Sequence, residues 1–424
     1  MSDDTELRTL TWQGVSMRPL RSTRIVVVLV LVLVLAGCQW SQQRFDAGGT
    51  ANNPFERTIG RANVIQLRRS WGVAAPGPSA GSFSDLLAKN GRIFASSGAG
   101  IEAFDAGTGA PLWSAPRHTA TVGGATAVAS RSGTSDLVLV GENQLGFPLD
   151  PKIVGWTTAL DAATGAIVWS VAEGGRGGVL LDGTLFANAH RRVGDSSDFD
   201  GTIAFDVATG VERFRVAGFT VRAGSGGTIY GDYATDVAAL SAAGCGAARC
   251  TPSWTANYSN PVWLGDIAVA NGSLYLAGMN GLEVFAAEGC GSPTCGALWK
   301  ATGSYGAIAV TADRLFLNGK LFYTTDPNVL HVFNANGCGQ ATCSQLWGSA
   351  VGRDYLKPIV ANGLVYLSSR GDPTEAWSTD GCGSAVCPPV WSTTDVLNVP
   401  VSPIVINGRL LLAGSGITTY TLPA

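Results

Sequence analysis

The sequence predicts an all-β chain: a single eight-bladed β-propeller of four-stranded antiparallel blades, its ring closed by strands from both termini. Three observations predict it. First, an aromatic position recurs at Trp71, Trp113, Trp169, Phe214, Trp254, Trp299, Trp347 and Trp391, mostly 40–48 residues apart with one 56-residue gap from Trp113 to Trp169. A period of that size with several short strands per unit is the mark of propeller blades. Second, apolar segments of one pattern (RIFASSG, LVLVGE, TLFANA, SLYLAG, RLFLNG, LVYLSS, RLLLAG) stand at equivalent places as second strands. Third, the ends are complementary. Residues 402–421 supply three strands and no aromatic strand, whereas residues 68–74 (RRSWGVA) supply an aromatic strand with none before it. Joined, they complete an eighth blade and remove the open edge of the ring.

The N-terminus precedes the ring. Arg18, Arg21 and Arg24 lead into an apolar run from Ile25 to Ala36, which ends in Leu35-Ala36-Gly37-Cys38. That run suits a signal-peptide core and is short of the ~20 residues that span a bilayer. The last four residues resemble a bacterial lipobox, which implies that Cys38 receives a diacylglyceryl thioether and becomes the mature N-terminus. Residues 1–38 are thus read as an extension plus lipoprotein signal peptide, with Met17 as the start. Residues 39–65 are read as a polar tether and lead-in, and 66–422 as the propeller.

Within the ring, Ala103–Trp113 (AFDAGTGAPLW) and Ala159–Trp169 (ALDAATGAIVW) share A-x-D-x-x-T-G-x-x-x-W, and Ala204–Phe214 keeps it with Phe for Trp. A strand ends at Asp, a tight turn follows, and a second strand carries the aromatic. Asp bonds nearby backbone and Gly supplies positive φ. In later repeats the turn becomes G-C-G-x-x-x-C, giving the pairs Cys245/Cys250, Cys290/Cys295, Cys338/Cys343 and Cys382/Cys387. These are read as disulfides that close the hairpin covalently, each contributing about 2 kcal/mol through loop closure. Four local pairs outside any CxxC zinc spacing point to an oxidising, exported setting.

The A-x-D-x-x-T-G-x-x-x-W phrase resembles the tryptophan-docking motif of the pyrroloquinoline-quinone (PQQ) type propellers, whose blades are joined by Trp packed between neighbours. The lead-in Asn53–Trp71 looks like that of quinoprotein alcohol dehydrogenases. The resemblance implies two classes of function: PQQ-dependent dehydrogenases and cofactor-free envelope proteins, including a lipoprotein of the outer-membrane assembly machinery. The alcohol-oxidising branch uses an adjacent Cys-Cys ring and a calcium cluster. This chain has no Cys-Cys dipeptide.

With 28 Lys plus Arg against 31 Asp plus Glu, the formal charge of −3 lacks the basic surplus of a nucleic-acid binder. Asp195, Asp198 and Asp200 in DSSDFDG fail the calcium-loop spacing, and Gly77–Gly81 (GPSAG) lacks the strand and helix of a nucleophile elbow. No catalytic or metal-binding residue is assigned. The candidate ligand face is the end of the ring where second-to-third-strand loops and blade-to-blade connections emerge. It carries Arg117, His118, His190, Arg192, Tyr258, Trp263, Tyr305, Arg353, Asp354 and Tyr355. The expectation is a lipid-anchored, membrane-attached, non-catalytic scaffold outside the cytoplasmic membrane, docking envelope proteins or cell-wall material. It needs no cofactor and binds no nucleic acid. The alternative is a PQQ- and calcium-dependent oxidoreductase of alcohols or sugars.

Overall fold

The computed structural model describes residues 39–423 apart from 76–80, 119–120, 132, 145–154, 194–195, 248, 260–263, 320–328, 351, 354–355 and 398–400. The strands assemble into eight sheets. Blade 1 shows the pattern: Asp85–Lys89 (inner), Arg92–Ser96, Gly100–Asp105 and Pro111–Pro116 (outer), paired antiparallel in that order. Blades 2 to 7 follow within residues 121–171, 178–217, 219–256, 264–301, 307–349 and 359–396. Blade 8 joins Ile404–Ile406, Arg409–Ala413 and Gly416–Thr421 to the outer strand Arg68–Ala74 from the other end of the chain. The predicted closure by both termini is what is observed.

Blades adhere because alternate residues of the middle strands are aliphatic and face the next blade. Leu137, Leu139 and Ala159 of blade 2 pack with Leu185, Ile203 and Phe205 of blade 3, all at 2% exposure or less. The aromatic position adds a specific joint. Each ring lies on the turn glycine of the following blade: Trp71 on Gly109, Trp113 on Gly165, Trp169 on Gly210, Phe214 on Gly244, Trp254 on Gly289, Trp299 on Gly337 and Trp347 on Gly381. A Cβ on any of these glycines would stand 2.4–2.9 Å from the ring, and all seven have positive φ. The Gly of Thr-Gly and the first Gly of G-C-G are therefore one structural position.

The indoles of Trp113 and Trp169 also donate to the carbonyls of Ala162 and Val207 in the next blade, at 3.1 and 2.9 Å. In blades 4 and 5 the hydroxyls of Tyr230 and Tyr275 take over this link, donating to Ala287 and Ala335 at 3.0 and 3.1 Å. At the seam none of the described glycines stands under Trp391. It packs edge-on against Tyr420, with ring centroids 5.8 Å apart.

All four predicted disulfides are present: Cys245–Cys250, Cys290–Cys295, Cys338–Cys343 and Cys382–Cys387, with Cα atoms 5.6–5.7 Å apart. The reading of them as hairpin closures alone is corrected in two respects. First, each pair is half core. The leading cysteine is exposed, whereas the second, Cys250, Cys295, Cys343 or Cys387, is only 2–7% exposed. Cys250 packs with Phe186 and Val216 of blade 3 and Phe219 of blade 4, so its sulfur behaves as a small apolar side chain between blades. Second, the loops bond to neighbouring blades. Thr294–Cys295 pairs parallel with the outer strand of blade 4, and Val386–Cys387 pairs likewise with that of blade 6. Between blades 5 and 6, Cys343 N–H donates to the Lys300 carbonyl at 2.8 Å, and Lys300 N–H to Ala341 at 2.9 Å. These three loops lap the exposed edge of the preceding blade. An unpaired outer edge is otherwise a site for strand addition.

The reading of 39–65 as a polar tether is corrected by the structure. Residues 40–53 form a strap that visits the inner strand of every blade in order. Trp40 exchanges backbone hydrogen bonds with Ala88 at 2.8 and 2.9 Å, and Val128 N–H donates to Ser41 at 2.6 Å. The Gln42 amide brackets Leu180 with two bonds of 3.0 Å. Gly224, Val269, Val310 and Val360 then donate N–H groups to Ala47, Gly48, Thr50 and Ala51 at 2.7–2.9 Å. Asn53 reaches Val405 of blade 8 at 2.7 Å. Trp40, Ala51 and Asn53 are at most 2% exposed. At Gly48 a Cβ would lie 2.4 Å from the Val269 carbonyl oxygen, so only glycine lets the backbones meet. The chain then crosses beneath blades 7 and 8, where buried Glu56 accepts from Thr58, Ile59 and Gly408 at 2.7–3.1 Å, before entering the outer strand at Arg68.

These contacts separate two costs of adding a methyl group. Gly91 and Gly165 share φ +75, but a Cβ on Gly91 meets nothing within 4 Å, whereas one on Gly165 lies 2.6 Å from Trp113. Gly91→Ala is expected to lower unfolding free energy by about 1 kcal/mol. Gly165→Ala, which also overpacks the joint, is expected to lower it by about 2–4 kcal/mol. Denaturant titration of both variants checks this; equal losses would show that the aromatic joint yields freely.

Candidate functional site at the open end of the channel

Antiparallel alternation places the turns between first and second, and third and fourth, strands at one end of the ring. The strap bonds near that end of the inner strands and occupies that end of the channel. The other end carries the second-to-third-strand loops and the blade-to-blade connections, and there the inner strands begin.

Near those beginnings the fold collects charged residues, one from each of five blades. Asp85 stands on blade 1, Arg176 before blade 3, Arg222 on blade 4, Asp266 on blade 5 and Lys357 before blade 7. Arg117 approaches from the connection after blade 1, and Arg44 points up from the strap. Arg44 Nη1 lies 2.6 Å from Asp266 Oδ1 and 2.6 Å from the Ile267 carbonyl, while Nη2 donates to Ile308 at 3.0 Å. Asp266 Oδ2 accepts the Ile308 N–H at 3.0 Å, and Lys357 Nζ is 3.8 Å from Oδ1. Burial alone would raise the Asp266 carboxyl; Arg44, Lys357 and Arg222 outweigh it and hold the group below its ordinary value. Asp266 in turn holds the charge on Lys357, but partial desolvation inside the channel, where the side chain keeps 48% exposure, and the neighbouring Arg44 and Arg222 prevail, so the ammonium pKa falls. The Asp85 carboxyl is raised by burial, opposed by Ser84 and by the charges of Arg176, Arg117 and Lys357. Five cations thus share this space with Asp85 and Asp266, while Arg222 is also paired with Asp232 at 3.3 Å and Arg117 feels the charge of Glu142, so a small positive excess remains that suits an anionic group.

The rim is held by internal partners. His118 Nδ1 is 2.5 Å from Glu142 Oε2, and its ring stacks on Trp156 at 4.8 Å and 10°. Arg117 donates to the Ser97 carbonyl at 2.6 Å. Arg353 binds Asp372 and, 3.2 Å away, Glu375. Lys300 bridges Glu283 at 2.9 Å and Ser259 at 3.0 Å.

Sequence reading placed several of these residues correctly and others not. Arg117, His118 and Arg353 lie on this rim. Tyr258 and Tyr305, expected as face residues, are core: they are 8% and 3% exposed. Burial raises both hydroxyls, that of Tyr305 to about 12, and Tyr305 donates to Thr302 at 2.7 Å. His190 and Arg192, expected on a loop, continue the second strand of blade 3, in the hairpin of Thr184–Val193 with Ser196–Asp206. Trp263, Asp354, Tyr355 and Cys38 lie outside the described residues, as does most of Gly77–Gly81. The channel charges were missed. Their signal was positional: FSDL, GRGG, VRAG, GDIA and LKPI each put one charge just before an inner strand or within its first four residues. The buried glutamates Glu102, Glu283 and Glu375 likewise share one third-strand register.

A calcium-bound quinone needs carboxylates and amides gathered around the metal. Among the described residues no three His, Cys, Asp or Glu side chains come together to hold a metal, and both channel carboxylates already face cations. The quinone's anionic half finds partners here; its metal half finds none among the described residues.

The Asp266 linkage has a definite sign. A carboxyl held below its ordinary 3.8 contributes stability above that pH and loses it as pH falls through the folded-state value. Asp266→Asn is expected to cost about 3–5 kcal/mol at pH 7, since it leaves Arg44 uncompensated. The gap from wild type should close as pH drops from about 4. Urea titration at pH 7, 5 and 3 measures it; a pH-independent gap would assign the loss to packing.

Known proteins share the fold. Residues 68–244 match the family described as outer membrane protein assembly factor BamB. No curated protein matches the sequence significantly. Among solved structures, BamB from Moraxella catarrhalis superposes with TM-score 0.60 at 16% identity, covering 84% of this chain and 99% of that one. Quinohemoprotein alcohol dehydrogenase from Comamonas testosteroni gives 0.64 at 13% identity, covering 93% and 82%. A europium-containing methanol dehydrogenase gives 0.54 at 11%, covering 91% of each chain. The chain is an eight-bladed β-propeller, similar over residues 68–244 to the BamB family and alike in fold to the quinoprotein alcohol dehydrogenases.

Proposed function

We propose that this protein is a lipid-anchored scaffold of the cell envelope that docks partner proteins or cell-wall material on the open rim of its ring. One observation carries the reading: the strap bonds every blade from one end, so the ring is a rigid module with a single free mouth whose polar rim is set in advance. Preorganised surfaces lose little freedom on binding. The match of residues 68–244 to an outer-membrane assembly factor supports an envelope role without catalysis. No helix among the described residues is long and apolar enough to cross a membrane. The reading places attachment at Cys38, where the lipobox-like Leu35-Ala36-Gly37-Cys38 would receive a diacylglyceryl group.

The positive surplus of the channel favours one second reading, a quinone oxidoreductase, since PQQ carries carboxylates. The unmet calcium requirement weighs against it.

Two measurements separate these readings. Calorimetric titration of the full chain with PQQ, with and without calcium, is expected to show no saturable binding up to about millimolar quinone. Micromolar, calcium-dependent binding would overturn the scaffold reading. Metabolic labelling with a radioactive fatty acid is expected to mark the wild-type chain and not Cys38→Ala; equal labelling would remove the anchor.

A further inference from the structure

We infer that the strap end of the ring is a lipid-docking face, so that the propeller lies directly on an anionic phospholipid surface with its open mouth turned away. This rests in part on the anchor proposed above and in part on the surface itself.

The first described residue fixes the exit point. Gln39 Nε2 donates to Asn90 Oδ1 at 3.1 Å, and Asn90 sits in the turn between the first two strands of blade 1. One residue on, Trp40 is buried and bonded to Ala88. A lipid on Cys38 therefore has no free tether beneath it, and whatever membrane holds it meets the strap end.

That end has the chemistry for such contact. After the strap, the chain crosses the same end under blades 7 and 8: Asn362 donates to the Ile59 carbonyl at 3.0 Å, and Gly408 to Glu56 at 3.0 Å, both from first-to-second-strand turns. On this crossing Phe55 is 51% and Ile65 is 65% exposed. Arg57, Arg61 and Arg68 are exposed beside them, and none forms an ion pair with a described carboxylate. Large apolar side chains with unpaired arginines are the composition that seats a surface at the headgroup level of anionic lipid. The apolar set continues around the rim. Leu112, Ile167, Leu298 and Leu346, at the starts of outer strands and so at this end, are 46–64% exposed. The Asp-turn carboxylates of this end, Asp105, Asp161 and Asp206, accept from their own turn Thr at 2.8–3.0 Å and stay charged, and Asp182, Glu288 and Asp380 are exposed on other turns, so the arginines of the crossing, and not the whole end, carry the attraction.

The test uses the full chain, recovered from membranes and reconstituted into phosphatidylethanolamine/phosphatidylglycerol vesicles with brominated acyl chains. An environment-sensitive fluorophore is attached to Ile65→Cys in one sample and to Thr302→Cys, exposed at the mouth, in another. Bromolipid quenching at 65 is expected to exceed that at 302 by about threefold or more. Adding Arg57→Glu and Arg61→Glu, or replacing the anionic lipid by phosphatidylcholine, is expected to cut the quenching at 65 by about threefold. Equal quenching at both positions, or more at 302, overturns the proposal, and so does indifference to charge. The mass of the N-terminal peptide from the same sample reads the anchor separately. An unlipidated Cys38 with quenching at 65 removes the anchor and leaves the docking face standing. A lipidated Cys38 without that preference does the reverse.

Discussion

Hydrogen bonds from residues 40–53 to the inner strands of all the blades, by backbone on six and by the Gln42 and Asn53 amides on blades 3 and 8, are the constraint on which the rest depends. Inner strands of a propeller face a channel, and their N–H and C=O groups at that edge have no fifth strand to bond. Here the strap supplies those partners in turn, from Ala88 on blade 1 to Val405 on blade 8. It also carries Arg44 up to Asp266, which makes the buried carboxylate of blade 5 tenable. The ring, the charge cluster and the distinction between its two ends follow from one peripheral-looking stretch of chain.

Much of the architecture was legible in the sequence because it repeats. The aromatic joint, its glycine partner, the Cys pairs and the split eighth blade recur or complement at fixed spacing, and each has a local cause in turn chemistry or in ring-on-glycine packing. The strap does not repeat. QWSQQRFDAGGTANN is polar because its side chains must satisfy eight different inner edges, and polarity next to a signal peptide reads as a tether. The traces it left were single residues: Trp40, the Gly48-Gly49 pair and Asn53. The channel charges were invisible for the related reason that five blades contribute one residue each. Only superposing the repeats brings Asp85, Arg176, Arg222, Asp266 and Lys357 to one place. Tyr258 and Tyr305 misled because a connection between blades reads as surface, whereas these two rings turn inward and fill the core. Cys250 and its three counterparts were placed in the right bonds, but spacing alone does not tell which sulfur of a pair turns inward.

The two halves of the ring close their outer hairpins by different chemistry. In blades 1 to 3 a carboxylate does it. The Thr108 hydroxyl, the Ser135 hydroxyl and the Arg213 guanidinium lead the interactions that hold Asp105, Asp161 and Asp206 below the ordinary carboxyl range. That contribution is present above pH 3.8 and fades as the pH falls through the folded-state values. In blades 4 to 7 a covalent bond does it, indifferent to acid and exposed instead to thiol reductants. The joint beneath is the same in both halves, an aromatic ring on a left-handed glycine, so the closures are interchangeable parts on one frame.

The order in which the strap meets the blades has a mechanical meaning. Tension applied at the N-terminus loads the Trp40–Ala88 bonds first and transmits nothing to blade 2 until they part. The strap therefore peels one blade at a time, like a zipper, at low and nearly constant force. Tension at the C-terminus instead loads the paired strands Gly416–Thr421 and Arg68–Ala74 along their length, where the hydrogen bonds of the seam resist together in shear. The molecule is soft when pulled from one end and stiff from the other.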